Sequence, residues 1–200
     1  MIIENGFEQG SDQWHKARVG NPGASSFDKI ITSTGKPSTQ RKKYLYQMAG
    51  EIITGQPAVS FQTDFMTRGI EMESEARQLF EMLKYPVEQC AMVYPDHTKD
   101  YHCSPDGILP DQKSGLEIKC PSLPVAVEYL DKADLPTAYK IQVQGSLMVT
   151  GYEHWYFMSY YPGLKPLIIQ VERDEKLISI IREEVEEFIK NLKDLVDRLQ

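Results

Sequence analysis

Ser104-Pro105-Asp106-Gly107-Ile108-Leu109, followed after a polar turn by Gly115-Leu116-Glu117-Ile118-Lys119-Cys120, is the stretch that decides how this chain reads. Pro-Asp-Gly is turn chemistry. The residues after it suit a short strand, Gly107–Leu109, and a turn over Pro110–Ser114 leads to a second strand, Gly115–Cys120. Residues two apart on a strand share a face, so Glu117 and Lys119 point one way and Leu116 and Ile118 the other. The two carboxylates, Asp106 and Glu117, suit a hard divalent cation, and a lysine beside them suits the handling of a water. The plainer alternatives are a bare β-turn at Asp106 and a solvent-facing strand at Glu117 and Lys119. The three together favour a metal-dependent phosphodiesterase.

The residue types fit that chemistry. Mg²⁺, with Mn²⁺ as a substitute, prefers oxygen ligands; Asp106 and Glu117 would supply them, with the backbone carbonyl of Ile118 as a neutral ligand between. Lys119 would position or deprotonate the attacking water, or offset charge in the transition state. A second ion would stabilise the leaving 3′ oxygen. Glu73, on a helix face with Ile70 and Arg77, is a further acid for the site. Alternatively it forms a surface ion pair with Arg77 four residues on. Tyr139 and Gln142, three apart on a helix, share a face; Gln142 would bond Lys119 or the substrate, or else is a surface glutamine.

Outward from this centre, short helices fit residues 11–18, capped by Ser11 or Asp12, and Ala24–Ile31, with Ser25 or Ser26 near its start. A Gly/Pro/Ser/Thr-rich loop covers Thr32–Ser38. Helices follow at Thr39–Ile53, with Leu45, Met48, Ile52 and Ile53 as its buried face, and at Thr63–Leu83, with Met66, Ile70, Leu79, Phe80 and Leu83 packing. Further strands fit Val87–Tyr94, Tyr101–Cys103, Glu153–Tyr160 and Pro166–Val171; further helices fit Pro124–Leu130 and Pro136–Val149. From Asp174 a 3.6-residue apolar period marks one long amphipathic helix, which would cover the core or meet a neighbouring subunit. The expected fold is α/β: one domain over residues 1–200, with a mixed sheet flanked by helices.

Composition narrows the class. An apolar fraction of 41% supports a sizeable core, and 26% charged residues is ordinary for a soluble domain. No apolar run is long enough to span a membrane, and the amino terminus lacks a secretion signal, so a cytoplasmic protein is expected. The three cysteines, Cys90, Cys103 and Cys120, are far apart, which argues against a disulfide scaffold, a zinc knuckle or an iron–sulfur cluster. A net charge of −7 argues against non-specific coating of nucleic acid, but a nuclease needs only a locally basic groove. Lys36, Arg41, Lys42 and Lys43 cluster early, and Glu183, Glu184, Glu186 and Glu187 make the last third acidic.

The chain resembles the YqaJ-like viral recombinase family of the PD-(D/E)xK nucleases, over Gln13–Gly20, Arg68–Arg77, Ser104–Gly107, Leu116–Pro121, Tyr139–Gln144 and Trp155 to Lys176, in the family's order. The resemblance implies a restriction-endonuclease-like core with a helical N-terminal region and a long C-terminal helix. It places the family's metal-site acids on Asp106 and Glu117, its catalytic lysine on Lys119, its helical acid on Glu73, and its active-site glutamine on Gln142, near Tyr139. The arginine and serine that bind a terminal 5′ phosphate fall on Arg18 and Ser25. The following basic residue has no clean counterpart: Gly35 lies there, and Lys36 next to it would take over its contact with the substrate. Arginine grips phosphate bidentately; the plain roles are an ion pair with an early acid for Arg18 and helix capping for Ser25. Also implied are 5′→3′ digestion of linear double-stranded DNA to mononucleotides and a 3′ overhang. A homotrimeric ring, delivery of the product to a single-strand annealing protein, and a phage or prophage origin complete what it implies. A segment over Gln40–Tyr46 would meet DNA.

Overall fold

The computed structural model describes residues 1–58 and 64–200, with the backbone alone over 64–70. Its centre is a four-stranded sheet in the order β3-β4-β5-β6, formed by Gly107–Leu109, Ser114–Lys119, His154–Ser159 and Leu167–Glu172. β3 and β4 form an antiparallel hairpin in which Gly107 faces Leu116. β4 and β5 are parallel, with Glu117 opposite Phe157 and Lys119 opposite Ser159. A parallel pair needs a long crossover, and two helices supply it: α4 (Leu123–Lys132) and α5 (Thr137–Thr150). β6 returns antiparallel to β5. The sheet is therefore mixed and flanked by helices, as the sequence implies.

Five of the six residues of β4 are buried. Leu116 and Ile118 pack with Tyr156 and Met158 beneath Ala76 and Phe80 of α3 (Asp64–Leu83). The other face of the sheet carries Trp155, which joins the larger core built from α5, α2 (Arg41–Thr54) and α6 (Glu175–Leu199). Gly115 lies directly opposite Trp155, and a Cβ at that glycine would sit 2.2 Å from the indole ring. Gly115→Ala therefore forces a fully buried ring to move; overpacking of this kind destabilises by about 1–3 kcal/mol. A thermal melt of that variant should show the loss, and an unchanged melting temperature would mean that the ring has room the structure does not show.

The ends of the helices follow their sequences. The Ser11 hydroxyl accepts the Trp14 N–H at the start of α1 (Asp12–Ala17), and the Asp174 carboxylate accepts the Leu177 N–H at 3.0 Å to open α6. α6 buries Leu177, Ile181, Val185, Phe188, Leu192 and Val196. It covers the core, and only Leu199 of its apolar series is exposed.

Several expectations need correction. The Val87–Tyr94 run is not one strand. Glu88 bridges Ile108 of the main sheet, whereas only Met92–Tyr94 (β2) pairs with Ile2–Glu4 (β1), a three-residue strand that periodicity does not reveal. One apolar run serves two sheets and must bend between them. Tyr101–Cys103 forms isolated bridges only, to Gly23 and Val93. On α2, Ile53 lies on the far side, and Ile52, near the helix end, caps Gly20 while staying exposed; Tyr44 and Ala49 are buried in their place. On α3, Leu83 is exposed, and the expected packing of Met66 and Ile70 concerns side chains outside the described residues. Cys90 and Cys103 are free and buried. Among the described residues, no helix is long and apolar enough to cross a membrane.

Candidate active site

The β3–β4 hairpin gathers the first three candidates. The Asp106 N–H donates to the Leu116 carbonyl at 3.0 Å, and the Ile118 N–H donates to Asp106 Oδ2 at 2.6 Å. The carboxylate is thus tied to the backbone of β4 where β3 has not yet begun. The N–H and C=O of one strand residue face the same neighbour, so the carbonyl of Ile118 turns to the side where Asp106 stands. Glu117 is buried, and its Oε1 lies 2.5 Å from Lys119 Nζ. Lys119 Nζ also lies 5.2 Å from the centre of the Tyr139 ring, which packs against Phe157. The face expected from strand alternation therefore exists, with Glu117, Lys119, Phe157 and Tyr139 together on it.

Glu73 comes from α3. Its carboxylate pairs with Arg77, whose Nε also donates to the Asp106 carbonyl at 2.9 Å. The ion pair read as the plain alternative is present, yet it is not a surface decoration. Arg77 joins the helix to the strand end, and both residues line a groove of about 1090 Å³ together with Asp106. Gln142 is half-buried one turn beyond Tyr139; among the described residues it makes no direct hydrogen bond to Lys119. Its neighbour Gln144 has a structural task, donating to the Glu172 carbonyl and accepting the Asp174 N–H.

The electrostatics are those of crowded acids. Burial raises the Asp106 carboxyl well above its ordinary range; Glu117 and Glu73 add to this, while Lys119 and the Ile118 N–H oppose it. Burial and Glu117 likewise raise Glu73 against the pull of Arg77 and Lys119. For Lys119 burial works downward, but Glu117 and Asp106 outweigh it and the ammonium is held charged. Among the described residues no three acids, histidines or cysteines converge as a finished cage: Lys119 engages Glu117, and Arg77 engages Glu73. The donor set is nonetheless all hard oxygen, and its excess negative charge suits a divalent cation. Asp106, Glu117 and the Ile118 carbonyl are the groups that would hold it, with Glu73 within electrostatic reach.

Arg18, at the end of α1, lies with its guanidinium 4.1 Å from the Trp14 ring centre. Burial lowers its pKa, and Tyr44 and Glu51 partly restore it. It lines a smaller cavity of about 140 Å³. Ser25 does not. The Ala24–Lys29 segment is a 3₁₀ helix, in which residues three apart eclipse; Ser26 and Lys29 face the cavity together while Ser25 and Asp28 are exposed. Helical spacing of three puts Ser26 and Lys29 on one face and Ser25 and Asp28 on another, but which face meets the cavity depends on partners far along the chain. Lys36 is exposed in the loop before α2 and lines neither cavity. Within Gln40–Tyr46, Arg41 is committed to Glu184 and Glu187 of α6.

With this geometry in view, comparison with known proteins is informative. The model of the YqaJ-like viral recombinase domain matches residues 13–153. LHK-Exo, an alkaline exonuclease from Laribacter hongkongensis, superposes with a TM-score of 0.85 at 26% identity, over 94% of this chain and 96% of its own. The same enzyme in complex with dAMP gives equal figures. A phage-related exonuclease from Haemophilus somnus 129PT shares the fold, with a TM-score of 0.69 at 18% identity over 90% of this chain and 96% of its own. No curated protein matches the sequence. The family match takes in α1, the groove acids and the β3–β4 hairpin, and the likeness to an exonuclease fold runs nearly end to end: the chain is an enzyme that belongs to the YqaJ-like viral recombinase domain family.

Proposed function

We propose that the chain is a Mg²⁺-dependent 5′→3′ exonuclease on linear double-stranded DNA, releasing mononucleotides and leaving a 3′ overhang for single-strand annealing recombination. The observation that carries this reading is the Asp106 carboxylate fixed on the β4 backbone beside the paired Glu117 and Lys119. A bound divalent ion polarises the scissile phosphate and lowers the pKa of water. Lys119, held charged by Glu117 and Asp106, orients the attacking water and offsets charge growing on the phosphate oxygens. The Tyr139 ring supports the lysine ammonium, and Gln142 meets the substrate rather than Lys119. Water oxygen bonds to phosphorus, the bond from phosphorus to the 3′ oxygen breaks, and the leaving oxygen takes a proton. The strand that remains then begins with a new 5′ phosphate.

That product gives Arg18 its role. A guanidinium that recognises a terminal 5′ phosphate finds one again after each cut. Arg18→Ala should lower the ratio of cleavage rates on 5′-phosphorylated and 5′-hydroxyl ends by about tenfold or more, the size of a charge-assisted contact; an equal ratio would remove Arg18 from end recognition. The dAMP found in LHK-Exo accords with mononucleotide release.

A homotrimeric ring around the DNA, acting in the cytoplasm of a bacterial host and passing its product to an annealing protein, belongs to the same proposal. A ring reconciles DNA binding with a net charge of −7, because only the channel lining need be basic. The competing reading is an endonuclease or flap nuclease with the same acids. Linear and closed circular forms of one plasmid separate the two: mononucleotides are expected from the linear form alone, and cutting of closed circles would refute the exonuclease. The mass in solution reads the trimer.

A further inference from the structure

The cavity beside Arg18 holds a second cation that neither strand periodicity nor family resemblance assigns. Lys29 Nζ stands 5.0 Å from the centre of the Tyr44 ring and 3.4 Å from Ser26 Oγ, on the same cavity as Arg18. Among the described residues neither Lys29 nor Arg18 has a carboxylate within ion-pair distance. That is unusual company for two cations in a chain of net charge −7. Glu51 lines the cavity too, but its oxygens are taken: Oε2 accepts the Gly20 N–H, and Oε1 accepts the Gln47 amide and the Ala58 N–H.

Aromatic faces orient both cations without neutralising them. Stacking on Trp14 uses the flat face of Arg18 and leaves its in-plane N–H donors for an anion. Lys29 over Tyr44 likewise keeps ammonium donors beyond the one directed at Ser26 Oγ. The cavity, about 140 Å³, has the volume of roughly five waters at ~30 Å³ each, enough for a phosphoryl group. His15 lines both this cavity and the groove of Asp106 and Glu73, so an anion held here stands next to the reacting end.

We propose that Lys29 is the second cationic contact to the terminal 5′ phosphate, that Ser26 rather than Ser25 supplies its hydroxyl, and that the pair sets the preference for phosphorylated ends. The proposal rests on the end-recognition reading of Arg18. The test is competition binding and initial rates on blunt duplexes identical except for a 5′ phosphate or 5′ hydroxyl, with the full chain and with Arg18→Ala, Lys29→Met, Lys29→Arg, Ser26→Ala and Ser25→Ala. Lys29→Met should lower the phosphate-to-hydroxyl ratio roughly tenfold, Lys29→Arg should restore most of it, and Ser26→Ala should lower it more than Ser25→Ala. Lys29→Gln is read in the same way if Lys29→Met does not fold. A ratio that falls in Arg18→Ala but stays at the parent value in Lys29→Met or Lys29→Gln overturns the role of Lys29 and leaves end recognition standing. A ratio unchanged in Arg18→Ala overturns end recognition itself. A greater loss in Ser25→Ala than in Ser26→Ala overturns the serine assignment.

Discussion

Lys119→Ala should reduce cleavage of linear duplex DNA by about 10³-fold, within the range for loss of a group that handles the proton and developing charge. The chain should still fold. It should melt earlier, because buried Glu117 loses the partner 2.5 Å away, and an unpaired buried charge is costly. The two effects part on adding Mg²⁺. With Lys119 gone, Glu117 is free to take a cation, so Mg²⁺ should raise the melting temperature of the variant at least as much as that of the parent. Loss of cleavage with retained metal stabilisation assigns Lys119 to the chemical step. Parent-like cleavage in the variant would refute the assignment.

Asp106→Asn is expected to separate activity from stability in the opposite sense. Activity should fall on the order of 10³-fold, equivalent to about 4 kcal/mol of transition-state stabilisation. Without metal, the variant should melt higher than the parent at neutral pH. Burial and the nearby Glu117 and Glu73 raise the Asp106 carboxyl well above its ordinary range, so its ionisation opposes folding. The sign follows: the neutral acid is fully tolerated below the ordinary carboxylate pKa, and stability falls as pH rises through the raised, folded-state value. Asparagine keeps an oxygen for the Ile118 N–H and carries no charge to repel. Each kcal/mol of relieved repulsion raises the melting temperature by about 2–4 °C for a chain of this size, and the gain should vanish in acid. Added Mg²⁺ should reverse the order, since the parent gains from the cation and the variant gains less. A variant that melts below the parent at every pH would show that the carboxylate is a stabilising group and not a strained one.

The part of the site written in the sequence is the part made by local geometry. Glu117 and Lys119 share a face because strands alternate, and Asp106 reaches them across a hairpin whose turn is visible in Pro110–Ser114. The long helix from Asp174 was equally legible, because its period persists over many turns. What stayed hidden depends on partners far along the chain. The Val87–Tyr94 run looks like one strand until β1 and β3 are seen to take different ends of it. Ser25 and Ser26 point to different sides in any helix, and only the packing of the segment shows that Ser26 is the one at the cavity while Ser25 is exposed. Arg77 reads as a helix-surface partner of Glu73, because its bond to the Asp106 carbonyl spans 29 residues. The likeness to a known family points to candidate positions but does not say which neighbour faces which cavity.

The two-sided pairing of β4 also bears on how the enzyme acquires its site. Its hairpin with β3 closes a loop of a few residues, which is fast, whereas its parallel partner β5 arrives only after the whole α4–α5 crossover has been made. Non-local pairings of this kind slow folding. Asp106, Glu117 and Lys119 can therefore come together in a nascent hairpin well before Tyr139 and Phe157 arrive to enclose them. The chemical groups can meet in the hairpin alone, whereas the burial that raises the Asp106 carboxyl needs the rest of the fold around it.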